Sequence, residues 1–195
     1  MNAGDHTVIC GIDEAGRGPL AGPVCAAAVI LPEYFDRSLL KDSKILSPAS
    51  RERTASLLRG STALIGVGWA WPEEIDAVNI HNASLIAMSR AFSSMLPGYP
   101  GSMNADGIYA FIDGKFIPEL PVPAAPVIHG DARIPEISAA SIIAKVTRDW
   151  WMIRYSWIEP NWEFHRHKGY PTARHRELCR LHGLSPIHRK SFRIY

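Results

Sequence analysis

Val8-Ile9-Cys10-Gly11-Ile12-Asp13-Glu14-Ala15-Gly16-Arg17-Gly18 is the stretch from which the fold can be read. An apolar run of strand length ends in two adjacent carboxylates, and a Gly-Arg-Gly turn follows at once. Two acids side by side at a strand end repel each other and resist leaving water. A divalent cation is the simplest compensation. The glycines leave the backbone bare, so a ligand can approach it closely. The stretch points to a metal-dependent site for a phosphate-bearing substrate, with the remaining ligands to be supplied from elsewhere in the chain.

Beyond this strand and turn, residues 24–31 form a continuous apolar run, hence a second buried strand. Ser47 is a good N-cap with Pro48 behind it, so a helix starts there and runs to about residue 59. Residues 63–71 are a third strand. Three strands so close in sequence suggest an antiparallel meander with one helical insertion. A short helix is expected over 72–78. A longer one follows over 79–96, where Leu85, Met88, Phe92 and Met95 share a face. A fourth strand over 108–112 ends in Asp113-Gly114, and a short fifth over 126–129 ends in Gly130-Asp131. A long helix spans 137–158, a loop 160–170, and a last helix starts at 171 or 172 and stops at Gly183. Residues 184–195 read as a basic tail. The pattern is that of an α/β domain.

The chain has 195 residues, 47% hydrophobic and 21% charged, which suits one soluble domain with a small appendage. No apolar run approaches the ~20 residues that span a bilayer. No Lys or Arg precedes Arg17, so a secretory signal is not expected. Cys10, Cys25 and Cys179 are odd in number and scattered, against a disulfide framework or a cysteine zinc site, and for a reducing, cytoplasmic setting. Residues 165–195 hold eight basic residues and one acid, a local +7 against +2 for the whole chain. Such a segment suits a polyanionic partner.

Three of the five expected strands end in acids: Asp13 with Glu14, then Asp113, then Asp131. Ligands of open α/β sheets collect beyond the carboxyl ends of strands. Four carboxylates crowded there cannot all ionise without a shared cation, and oxygen-only ligands suit Mg²⁺ or Mn²⁺. Such sites hydrolyse phosphodiesters with two metals.

Six motifs then carry a family resemblance. They are Asp-Glu-Ala-Gly-Arg-Gly-Pro at 13–19, Asp42-Ser43-Lys44, Ile112-Asp113-Gly114, Gly130-Asp131, the run from Ile137 to Asp149, and His167-Lys-Gly-Tyr-Pro-Thr172. In order and spacing they resemble bacterial ribonuclease HII over nearly the whole chain. The resemblance implies a ribonuclease H-like fold: a five-stranded mixed sheet flanked by helices (residues 1–160) with a basic C-terminal helical extension packed on the core (161–195). It implies an endonuclease that cleaves RNA in RNA–DNA hybrids and incises 5′ of single ribonucleotides in duplex DNA, with Mn²⁺ or Mg²⁺, as a monomer. Carried over by motif, Asp13, Glu14, Asp113 and Asp131 are the catalytic, metal-binding acids. Gly16, Arg17 and Gly18 form the turn that reads the 2′-OH. Tyr170 packs against the next sugar. Lys44 and Lys145 contact phosphates, and Arg189 and Lys190 grip the duplex backbone. One departure is His129, where the family usually has Lys before Gly-Asp; it places a titratable group near the fourth acid.

Three other readings remain open at this level. A metal-free ribonuclease would use histidines, with His165, His167, His175 and His182 as candidates. A nuclease of the same superfold would cut junctions instead of hybrids. A non-catalytic RNA-binding protein would leave the strand-end carboxylates without purpose.

Overall fold

The computed structural model describes residues 7–40, 46–100 and 105–194. The strands are β1 (Val8–Ala15), β2 (Val24–Ile30), β3 (Leu64–Ala70), β4 (Ile108–Asp113) and β5 (Ala124–Val127). The helices are α1 (Pro48–Gly60), α2 (Pro72–Met95), α3 (Pro135–Ile158), α4 (Phe164–His167) and α5 (Ala173–His182). One sheet runs in the order β3-β2-β1-β4-β5, antiparallel on the β3-β2-β1 side and parallel from β1 to β5. The expected meander and its helical insertion are present.

Every residue of β2 is buried, because both faces of the sheet are covered. Period-two alternation divides its side chains. Val24, Ala26, Ala28 and Ile30 join a core with Met88, Ala91 and Phe92 of α2. Ala27 and Val29 join a second core with Ala55 and Leu58 of α1 and Ile142 and Ile143 of α3. Gly11, on the α3 side of β1, lets that helix come close: a Cβ there would lie 2.1 Å from the Glu136 carbonyl carbon.

Helix starts follow local chemistry. Ser47 accepts a hydrogen bond from the Ser50 amide, and Thr172 from that of His175, as N-caps do. The two helices expected over 72–96 are one helix broken at Asn79, whose φ is 69°. Its Oδ1 accepts from the amides of His81 and Asn82, so the asparagine caps the second half.

Two expectations are corrected. The fifth strand lies over Ala124–Val127, two residues earlier than expected. Pro126 has no N–H to give, which an edge strand tolerates, and His129 already adopts left-handed backbone with φ 55°. Asp131 therefore sits in a 3₁₀ turn past the strand instead of ending it. The 160–170 loop contains a 3₁₀ turn at Pro160–Trp162 and α4. In the C-terminal extension, Ile187 and Ile194 join Leu20, Ala21, Met152, Phe164 and Leu178 in a third core. Among the described residues no helix is long and apolar enough to cross a membrane, and all three cysteines are buried free thiols.

Candidate active site

The parallel register of β1 with β4 pairs Ile12 with Ile112, so Asp13 and Asp113 come next on neighbouring strands, about 4.8 Å apart at the backbone. Ile12 and Ile112 face α2. Alternation then turns Asp13 and Asp113 toward α3 and Glu14 to the other side of the strand end. Asp13 and Asp131 are buried. The Asp113 Oδ1 accepts the Gly130 amide at 2.7 Å, which ties the turn carrying Asp131 to the end of β4. All four expected acids thus gather at one end of the sheet.

Burial, then Glu14, then Asp113, pushes the Asp13 carboxyl well above the usual carboxylate range. The Ser141 hydroxyl of α3 and the Glu14 amide, 2.7 Å from Oδ1, oppose that shift. Glu14 is also raised by burial, with the Arg17 guanidinium at 3.1 Å working against it. The acids are spread over the sheet end: among the described residues, no three carboxylates bring oxygens within 4.8 Å of one another. Four hard oxygen donors, a buried acid held against its charge, and one facing arginine fit divalent cations of the Mg²⁺ or Mn²⁺ type.

The Gly16-Arg17-Gly18 turn is held from below. Gly16 has φ 98°, and a Cβ on it would meet Arg148 Nε at 2.0 Å. Two buried arginines gather the carbonyls of residues 16–23. Arg189 donates to the oxygens of Gly22 at 2.9 Å, Arg17 at 2.9 Å and Gly16 at 2.6 Å. Arg148 donates to Pro23, Lys168 and Ala21. Drawing those carbonyls inward leaves the amide side of the turn facing out. Arg189 is fully buried, so the expectation that it grips a phosphate backbone is corrected: its guanidinium is spent on the turn. Burial, with Arg148 nearby, lowers its pKa to about 9.

Tyr170 meets the same turn. A Cβ placed on Gly18 would be 3.9 Å from Tyr170 Cε1, and the Leu20 amide donates to the Gly169 oxygen. Lys145 Nζ lies 5.2 Å from the Tyr170 ring centroid and pairs with Asp149 at 2.9 Å. Tyr170 is 37% exposed, enough to meet a ligand. Lys190 is exposed, and its backbone amide donates to Asp76. Lys44 lies outside the described residues.

Two of the candidate histidines, His167 and His175, are committed to structural hydrogen bonds. His167 is buried and bonded to the Trp162 oxygen, with its pKa lowered by burial, then His175, to about 4. His175, Cys179 and His188 cluster closely enough to suggest a metal site. Hydrogen bonding argues otherwise. The Ser185 amide donates to His188 Nδ1 at 2.9 Å, so the proton of the neutral ring sits on Nε2. That Nε2–H faces His175 Nε2 at 3.1 Å, and His175 Nδ1–H donates to the Tyr170 oxygen at 2.9 Å. A metal would need the His188 Nε2 lone pair, which this tautomer does not offer. The pair braces the backbone of Tyr170.

Sequence reasoning missed Ser141, Arg148 and the His175–His188 pair. Each acts through a contact 13 or more residues away in sequence. The only available signal was a polar residue inside a long apolar helix, as with Ser141 and Arg148.

Comparison with known proteins decides the family. The ribonuclease HII family profile matches residues 10–194. The chain belongs to the ribonuclease HII family. It is a ribonuclease H, a nuclease of the hydrolase class. It is 45% identical over 193 residues to the ribonuclease HII of Treponema denticola, covering 95% of this chain and 98% of that one. It is 46% identical to that of Dichelobacter nodosus, covering 95% and 94%. The fold is similar to that of the ribonuclease HII in a complex with PCNA from Archaeoglobus fulgidus (TM-score 0.72, 23% identity, 96% of each chain). It is also similar to Bst ribonuclease HIII in complex with Mn²⁺ (TM-score 0.68, 18% identity, 91% of this chain and 63% of that one).

Proposed function

We propose that this ribonuclease H incises the strand 5′ of a ribonucleotide, in RNA–DNA hybrids and at single ribonucleotides embedded in duplex DNA, by two-metal hydrolysis. The observation that carries the proposal is the convergence of Asp13, Glu14, Asp113 and the Asp131 turn beside a turn whose carbonyls face inward. Divalent cations held by the four carboxylates would activate the attacking water and stabilise the leaving oxygen. The chain's own groups position the substrate. The backbone of Gly16-Arg17-Gly18 reads the 2′-OH, the group that separates RNA from DNA at one position. Tyr170, braced through its carbonyl by His175, packs against the following sugar and favours one without a 2′-OH. Arg17 balances Glu14 and reaches toward the incoming phosphates, as do Lys145 and Lys190.

The test is a duplex with one ribonucleotide, assayed with Mg²⁺ and with Mn²⁺. The expected products carry a 3′-hydroxyl and a ribonucleotide 5′-phosphate, and Asp113→Asn loses the activity. A 2′,3′-cyclic phosphate product, or full activity in EDTA, would overturn the mechanism in favour of one using the 2′-OH as nucleophile.

A further inference from the structure

Three of the six tryptophans meet away from the carboxylates. Trp69 and Trp71 lie nearly parallel, 13° apart with centroids at 5.9 Å. Trp151 meets Trp71 edge-on at 5.4 Å and stacks on Tyr155 at 5.1 Å. Beside them a groove of about 390 Å³ is lined by Arg59, Trp69, Thr147, Trp150, Trp151 and Arg154. Trp150 is 44% exposed and Trp71 39%. The Arg154 guanidinium carbon stands 5.8 Å from the Trp150 ring centroid, and Arg59 is held by the Thr147 hydroxyl at 2.7 Å. Among the described residues no carboxylate lines the groove.

An exposed indole beside a groove offers a surface for a planar ligand, and the charges say which. Two permanent cations with no facing acid suit phosphate. Broad indole faces suit nucleobases, with ~1–3 kcal/mol per stacked base. Bases in a duplex hide their faces against each other, so only unpaired ones can lie on Trp150. Position supports the same occupant. Trp69 pairs across the sheet with Cys25, and Cys25 with Ala15. Two strand spacings, about 10 Å, therefore separate the groove from the strand end that carries Asp13 and Glu14. That is about three nucleotide steps at ~3.4 Å each along a strand.

We propose that this groove binds unpaired nucleotides that flank the duplex at the active site, stacking a base on Trp150 and pairing its phosphates with Arg59 and Arg154. The proposal rests on the duplex lying over the carboxylates. Its test does not depend on cleavage. All-DNA duplexes, blunt or carrying a single-stranded tail of about five nucleotides, are titrated by fluorescence anisotropy. One stacked base predicts about tenfold tighter binding of the tailed duplex. Trp150→Ala with Arg154→Ala should erase that gain and leave blunt-duplex affinity, melting temperature and incision of an embedded ribonucleotide unchanged. Arg154→Gln alone should lower the salt slope for the tailed duplex by about 0.7.

A wild-type protein indifferent to the tail would overturn the proposal. So would a double variant that keeps the gain. Equal losses for blunt and tailed duplexes would place the groove on the duplex track instead. Trp150 quenching by an acidic peptide but not by the tail would assign it to a protein. Loss of the carboxylate reading would show as normal cleavage by Asp113→Asn, a result separate from every binding arm.

Discussion

Arg189→Lys keeps the charge beneath the Gly16-Arg17-Gly18 turn and removes the fork that holds it. In the native protein one guanidinium serves the carbonyls of Gly16, Arg17 and Gly22 at 2.6 to 2.9 Å. A lysine ammonium on a shorter reach serves one of the three. Two buried acceptors are then left without a partner, at ~1–3 kcal/mol each, so the loss is about 2–6 kcal/mol. Lysine's tighter hydration adds to the cost of burying it. Urea unfolding, followed by tryptophan fluorescence, reads the global part. The ratio of incision at a single ribonucleotide to cleavage of an all-RNA hybrid strand reads the local part. We expect both to fall, the ratio more steeply if the turn loosens without unfolding the domain. Lys190→Ala, one residue on but exposed, should stay within about 0.5 kcal/mol of native stability and lower the salt slope of duplex binding by about 0.9. An Arg189→Lys protein with native midpoint and native ratio would refute the assignment of Arg189 to the turn.

Acid should unfold the protein through its buried histidines. Burial, then His175, lowers His188 from 6.5 to about 4, so its neutral form suits the fold. Its contribution is complete above pH 6.5 and is lost as pH falls toward 4, by about 3 kcal/mol at ~1.4 per unit; urea midpoints at pH 7, 5.5 and 4 test this, and His188→Asn should flatten the dependence. Saturating Mg²⁺ or Mn²⁺ at about 100 times its Kd should stabilise the native protein by about 2.7 kcal/mol. In Asp13→Asn that thermal shift should shrink strongly, while the metal-free variant melts higher than the metal-free native protein because a buried, repelled charge is gone. Gly11→Ala should prevent native packing of α3, since the new Cβ would meet Glu136 and Ile137 backbone at 2.1 and 2.2 Å; a soluble variant with native melting would show that the helix can retreat.

How much of this was legible in the chain depends on whether a residue's role is local. Asp13, Glu14 and Asp113 declare themselves because buried strands seldom end in acids, and strand register alone then brings them together. Ser47, Thr172 and Asn79 act on amides two or three residues away, so helix starts were readable. Helix α4 was not: four residues between the left-handed Glu163 and Lys168 are too few to show a period. Arg189 was misread for a different reason. Beside Lys190 and Arg193 it looks like part of a solvated charge run, and the carbonyls that bury it belong to residues 167 to 173 positions earlier. His175 and His188 were weighed as catalysts or left in the tail because no sequence feature fixes a tautomer.

The same long reach sets a schedule for the living molecule. The acids, the turn and the sheet that carries them are made early, but the clamp on the turn arrives 173 residues after Gly16. A nascent chain short of Arg189 owns its full set of carboxylates and lacks the guanidinium that holds the turn beside them. On the proposed reading, the turn gains its brace only once synthesis has passed Arg189.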